Sequence, residues 1–465
     1  MFPLWNVIID NWKYISKEEA VEYCHKNTSD IKIKINSKEW NVEYLKSINI
    51  EDSTNNSNNN KANIVMNVGG PSWNSDWLYT EEENQYLALS VNNSLEHNHI
   101  FGKKYTGKNM IQIWHLDFNN NKHYFALGIG HNGSAITDLK WCPNTFIKGK
   151  RLGILATADY NCNLSIYSIP IPDINTTTLP ICVPAPLVTI KCDNVIRKII
   201  WSYTSDSNFI WLLAGTENGS IMSWNFNINS EIEHIESLLP IFNVSAHSSF
   251  ITSIVCSPLN PNIIATSSYD ALFKIWDIRN PYRPLYTHQI GGGYVTHSEW
   301  GKFGLNYLFP FLILAMEDSS VRLFNLEVGS SKGLIEEDSD VPINSVSLNC
   351  KRGYLATASS QGYLEIFDVG RYKSSKRRNP EVPYFKLSLL EKDGVYIFDS
   401  APHKATTATT SSSKKNAPKN PEQRSFTEFS LAALRVQYNP NEMYSNWLLA
   451  SCSMGIVLLK NCDKL

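Results

Sequence analysis

His97-x-His99 places two imidazoles at a spacing that puts both on one face of an extended strand, the beginning of a transition-metal site. No third His, Cys or carboxylate follows at ligand spacing, so the pair reads as part of a surface loop and no metal is expected. Gly291-Gly-Gly-Tyr294 has the glycine density of a phosphate-cradling loop but lacks the Lys-Ser/Thr that completes one; it reads as a connecting turn. No Gly-x-Ser-x-Gly elbow, His-Glu-x-x-His helix or other nucleophile–base spacing occurs. The chain is therefore expected not to be an enzyme, with no catalytic residue and no cofactor.

The remaining chemistry is cationic. Lys373, Lys376, Arg377 and Arg378 form one cluster, and Lys414, Lys415 and Lys419 a second. Such clusters contact phosphate through counterion release, act as nuclear-import signals, or remain solvated loops, and all three readings stay open. Residues 371–424 hold 12 Lys and Arg against 5 Asp and Glu, so a basic arm of +7 sits on a body of −9 in a chain of net charge −2. That balance argues against a uniformly basic nucleic-acid binder. The second cluster lies next to Ala405-Thr-Thr-Ala-Thr-Thr-Ser-Ser-Ser-Lys-Lys415, a low-complexity stretch expected to be disordered, with no interleaved aromatics for base stacking.

The nine cysteines of this 465-residue chain are scattered singly with no Cys-x-x-Cys pair, which disfavours a zinc ribbon or finger. Cys256 and Cys452 lie in apolar strand patterns and read as small core residues. The N-terminal residues lack a basic segment followed by a long apolar core, and the longest apolar run, Leu308 to Met316, is too short to span a bilayer. These features predict a protein of a reducing compartment with no membrane role.

What positions these residues is a repeat. An apolar strand rich in Leu, Ala and Thr runs into a tight polar turn and then an alternating strand ending in an aromatic. Ile154–Tyr167, Trp211–Trp224, Ile264–Trp276, Leu312–Phe324 and Tyr354–Phe367 follow this template, and Trp447–Leu459 follows it without the final aromatic. A seventh copy joins Tyr86-Leu-Ala-Leu-Ser to Ile111-Gln-Ile-Trp114 across a polar insert. The terminal positions fall at 114, 167, 224, 276, 324, 367 and, by register, 460, and the last gap must contain an insertion. Each copy is preceded by another strand, such as Ala135–Trp141, Val195–Trp201 or Phe250–Cys256, with period-two alternation. Short strands in units of roughly 45 residues are the signature of propeller blades.

The predicted fold is all-β: a seven-bladed propeller over 63–465, a short N-terminal extension over 1–62, and a basic low-complexity insertion over 371–428 before the last blade. Within the extension, Ser16-Lys-Glu-Glu19 predicts a capped helix start, and Glu51 to Asn60 reads as an Asn/Ser-rich loop. Within the insertion, Tyr384–Leu390 and Val395–Phe398 could pair as a hairpin or complete the sixth blade. Asn63–Val68 could supply the strand that the C-terminus lacks, clasping the last blade.

Ala246 to Asp277 most closely resembles a WD40 repeat, with His247 after Ala246 and Ile275-Trp276-Asp277 at its end. That resemblance implies a hydrogen-bonded tetrad of His247, Asp270, a hydroxyl from Thr266 or Ser268, and Trp276. A narrower set is ordered over 63–172. It comprises Gly69-Gly-Pro-Ser-Trp-Asn-Ser-Asp-Trp77, Tyr86-Leu-Ala88, Ile111-Gln-Ile-Trp114, His131-Asn-Gly133, Asp138-Leu-Lys-Trp-Cys-Pro143, Gly153-Ile-Leu-Ala156 and Leu164–Pro172. This set resembles the WD40 subunit of transcription factor IIIC, of the 110-kDa or tau-91 type. The resemblance implies a nuclear, non-catalytic subunit assembled with the other factor subunits, including a second propeller. Promoter DNA for RNA polymerase III would be reached indirectly or through the basic insertion. A generic interaction adaptor (peptide reader or ubiquitin-ligase adaptor) and a propeller hydrolase with channel carboxylates are the alternatives.

Overall fold

The computed structural model describes residues 12–24, 30–35, 38–50, 63–80, 82–92, 107–143, 151–173, 179–203, 209–227, 239–291, 293–301, 311–326, 329–336, 341–369, 385–392, 395–399 and 432–463. The regular secondary structure of the described residues is almost entirely strand, with one seven-residue helix and one 3-10 turn.

The strands form seven sheets, each beginning with an inner strand: Ser72–Trp77, Ile136–Trp141, Ile196–Tyr203, Ile251–Cys256, Val295–Gly301, Ile343–Asn349 and Ala433–Tyr438. Each inner strand packs against the next, and the seventh returns to the first, which is the arrangement of a β-propeller. We number the sheets in this order. The apolar side chains divide the same way. One buried cluster lies between each neighbouring pair, such as Leu213, Ile221, Ile254 and Trp276 between the third and fourth sheets.

The repeat register holds in the pairing. Leu87 faces Trp114, Leu155 faces Tyr167, Leu212 faces Trp224, Ile264 faces Trp276, Leu312 faces Phe324 and Leu355 faces Phe367. In the seventh sheet Leu448 faces Lys460, so the position without an aromatic is the one the spacing indicates.

Side chains stitch every junction between neighbouring sheets. Asn74 Nδ2 donates to Thr137 O at 2.7 Å, Thr137 Oγ1 to Ile196 O at 2.5 Å and Thr252 Oγ1 to Val295 O at 2.6 Å. Ser202 Oγ bonds Pro261 O, Thr296 Oγ1 bonds Ile343 O, and Asn344 Nδ2 donates to Ala433 O at 2.8 Å. Closing the ring, Ser451 Oγ donates to Ser72 O at 2.8 Å. Indoles add a second row: Trp141, Trp201 and Trp300 donate to carbonyls of the preceding sheet at Asp76, Lys140 and Val255. Trp77 donates to Gln437 O across the closure. Each such bond gives a backbone acceptor at the junction a side-chain donor.

Three sheets carry more than four strands. Asn63–Asn67 pairs antiparallel with Ile456–Asn461, so a strand from early in the chain completes the last sheet, and Ser47–Ile50 adds a fifth. Phe385–Lys392 pairs with Tyr363–Asp368 as the fourth strand of the sixth sheet. Val395–Asp399 pairs with Phe385–Lys392 as a hairpin, so both expected outcomes for this stretch occur together. The sixth sheet then continues outward through Ile31–Ile35, parallel to Val395–Asp399, and Lys38–Val42. In the first sheet, Ile181–Cys182 adds a parallel strand beside Lys122–His131.

The helix Lys17–Tyr23 begins at Ser16, whose Oγ accepts the N–H of Glu19. It buries Ala20 and Tyr23 against the first sheet, where Tyr23 donates to Asn132. The described residues before 63 thus lie along the first, seventh and sixth sheets and span the closure.

Candidate functional site

The fourth sheet builds one buried polar chain. Trp276 Nε1 donates to Thr266 Oγ1 at 2.9 Å, Thr266 Oγ1 lies 2.9 Å from His247 Nε2, and His247 Nδ1 lies 3.0 Å from Asp270 Oδ2. The two ends fix its direction. An indole only donates and a carboxylate only accepts, so Thr266 donates to Nε2 and His247 donates from Nδ1. Burial holds the His247 pKa below the ordinary value although Asp270 opposes it, which matches a neutral ring. Asp270 falls below the usual range despite its burial, because His247 and the N–H groups of Ser248 and Leu272 favour its charged form. The hydroxyl is Thr266; Ser268 instead donates to Ser249 O.

The network is anchored from the third sheet. Gly219 has φ +85°, and its carbonyl accepts the N–H groups of Ala246 and His247. A Cβ at Gly219 would lie 2.3 Å from the His247 carbonyl oxygen, so only glycine fits this approach.

The inner strands enclose a polar channel. A cavity of about 180 Å³ is lined by Asp138, Lys140, Lys198, His297, Glu299 and Arg435 among others. The carboxylates of the inner strands are engaged in structure. Asp76 accepts from Lys140 Nζ at 2.8 Å, the Trp141 N–H and Gln437 Nε2. Asp138 accepts the Ile199 N–H and Glu299 the Leu348 N–H, each from the next sheet. Among the described residues no group of three or more His, Cys, Asp and Glu could hold a metal.

The channel is costly to charge. Burial pushes the Glu299 carboxyl up to about 7 although Arg435 opposes the shift, and burial with neighbouring cations pulls Lys198 down to about 8 against the attraction of Asp138. Because the folded pKa of Glu299 lies above the ordinary 4.5, its favourable contribution is full below pH ~4.5 and lost as pH rises through about 7. Glu299→Gln keeps an acceptor for Leu348 and removes the charge. It should raise the Tm at pH 8 by ~2–4 °C and leave it unchanged at pH 4.5. Equal changes at both pH values in thermal scans would contradict this account.

The face carrying the β-turns displays an aromatic strip. Arg197 lies over the rings of Tyr160 and Phe250, Phe250 stacks on Tyr269 at 4.9 Å, and Tyr269 contacts Tyr294 at 4.5 Å. Tyr269 is 51% exposed. Tyr294 belongs to the glycine-rich segment, whose described residues Gly291, Gly293 and Tyr294 lie between Tyr286–Gln289 and Val295–Gly301.

His247, Asp270 and Trp276 are therefore brought together. Lys373, Lys376, Arg377, Arg378, Lys414, Lys415, Lys419, His97 and His99 lie outside the described residues. All nine cysteines are free thiols; Cys452 is buried, whereas Cys256 is half-buried with Sγ near Pro261 O. Sequence reasoning missed the channel groups. Their signal was a polar residue at alternate positions of the inner strands, as with Asp138 and Lys140.

Fold and network define the class: a β-propeller carrying a WD40 repeat. Residues 238–277 match the family described as WD domain, G-beta repeat. Along more of its length, the chain is 25% identical over 411 residues to "Transcription factor tau subunit sfc6" of Schizosaccharomyces pombe, covering 85% of this chain and 64% of that protein. It is 26% identical over 257 residues to "General transcription factor 3C polypeptide 2" of Homo sapiens and of Pongo abelii, covering 47% of this chain and 28% of each relative. The chain spans less than two thirds of the length of these relatives.

Proposed function

We propose that the chain is a seven-bladed WD40 propeller acting as a non-catalytic scaffold subunit of a transcription factor IIIC complex in the nucleus. The observation that carries this reading is the similarity to the fission-yeast tau subunit over 85% of the chain. Residues 63–465 would form the ring and residues 1–62 an extension laid over it. The faces would bind other factor subunits, a second propeller among them, while Lys373, Lys376, Arg377, Arg378, Lys414, Lys415 and Lys419 would contact DNA phosphates. The hydrolase alternative is disfavoured because Asp76, Asp138 and Glu299 each accept a strand N–H, which commits them to holding neighbouring sheets together.

Affinity purification of the tagged full chain from native extract at mild salt should recover other factor IIIC subunits and tRNA genes. Recovery of neither would overturn the assignment. In the same purified complex, serine at all seven basic positions should flatten the salt dependence of DNA binding. An unchanged slope would leave those residues a solvated loop or an import signal.

A further inference from the structure

On the face opposite the aromatic strip, the loops after the first and seventh inner strands enclose a groove of about 250 Å³. It is lined by Tyr79, Thr80, Glu82, Asn441, Glu442, Met443 and Tyr444. Tyr79 is 43% and Met443 66% exposed, so two large apolar side chains face solvent side by side at the closure of the ring. Isolated exposed apolar residues are ordinary; a pair sharing one concavity is not.

The groove is also built rigidly. Asn441 Oδ1 accepts the Thr80 N–H at 2.9 Å, and its Nδ2 donates to Leu78 O at 3.2 Å and bonds Gln85 Oε1. Asn439 donates to the same Gln85 oxygen at 3.2 Å. Beneath them, Phe118 stacks on Trp447 at 4.2 Å and contacts Tyr444. Ordering the walls in advance lowers the entropy cost of binding.

Its charge has one sign. Glu82 and Glu442 line the rim and are exposed, Glu83 lies beside them, and among the described residues the lining contains no Lys, Arg or His. The aromatic strip, by contrast, mixes Arg197 with Glu317 near Tyr294.

We propose that this groove docks a partner peptide in which one bulky apolar side chain is flanked by Lys or Arg. The apolar residue would lie between Tyr79 and Met443, and the cations would face Glu82 and Glu442, a complementarity that favours such a segment over an acidic one. The proposal does not depend on the assignment to a transcription factor complex.

The test is a positional-scanning library of immobilised seven-residue peptides probed with the full chain. The expected result is an enrichment of at least about ten-fold for Lys and Arg over Asp and Glu beside a central Leu, Phe or Met. Glu82→Lys with Glu442→Lys should reverse the charge preference, and Met443→Ser should weaken selection of the apolar residue; all three positions are exposed, so folding is checked by unchanged Tm. No enrichment, or the same enrichment in the charge-reversed variant, overturns the proposal. Enrichment that arises only after Lys373, Lys376, Arg377 and Arg378 are changed to Ser overturns it in favour of the chain's own basic segment as occupant.

Discussion

A chain that begins at Asn63 should lose at least about 10 °C of Tm, or fail to remain soluble, compared with the full chain. The extension buries Ala20, Ile33, Val42, Leu45 and Ile50 to 6% exposure or less. Ile33, Val42 and Ile50 share one cluster with Val65, Val436 and Leu448, while Ala20 and Leu45 share another with Ile64, Met66 and Leu449. Complete burial of a large aliphatic side chain contributes about 1.5–3 kcal/mol, so removing four of them costs roughly 6–12 kcal/mol, comparable with a domain's whole stability. Backbone is exposed too. Asn67 donates to Val42 O, Leu45 donates to Asn67 O, and Ser47–Ile50 covers the edge of Asn63–Asn67. Thermal scans of both chains decide the matter, and a Tm difference under 5 °C would refute the view that the extension holds the closure.

The second large effect is expected at Thr266. Thr266→Val preserves shape but deprives both His247 Nε2 and Trp276 Nε1 of their partner in a buried site. Two unsatisfied groups at about 1–3 kcal/mol each predict a loss of ~3 kcal/mol, whereas Thr266→Ser should recover most of it. Urea unfolding at pH 7 reads the difference. If valine and serine were equal, the hydroxyl would not link the two rings. At Ser268 the same exchange should matter less, because its hydroxyl donates to the Ser249 carbonyl and accepts the Asp270 N–H but bonds neither ring.

The sequence is legible where the signal is local. Strand, turn and strand lie within about fourteen residues in most copies, and the aromatic register extends to Lys460 without an aromatic to mark it. Ser16 announces its helix because the capping group lies three residues from its donor. Long-range pairing leaves no such mark. Ile31-Lys-Ile-Lys-Ile35 alternates as a strand should, yet nothing in it points to Val395–Asp399, so the residues before 63 read as lying ahead of the ring rather than woven into two sheets. Phe385–Lys392 is the contrasting case: its strand pattern is local, and the sequence already offers this stretch as the strand that completes the sixth sheet. The channel was hidden differently: Asp138, Lys198, Glu299 and Arg435 come from four separate sheets, and only ring closure assembles them. Tyr79 and Met443 meet across the ends of the ring, and His247 with Asp270 was accessible only because one blade carries both.

The pairing of Ile64 with Leu459 has a temporal consequence. Synthesis is directional, so the strand that completes the ring leaves the ribosome early and waits for a partner about 395 residues downstream. Until then the nascent protein carries two unsealed sheet edges and an apolar seam, a slow and aggregation-exposed interval set by contact order rather than stability. Even a stop codon at position 456, which removes Ile456–Asn461 with everything after it, would leave the ring open, so this topology makes nearly every truncated product recognisable to chaperones and proteases.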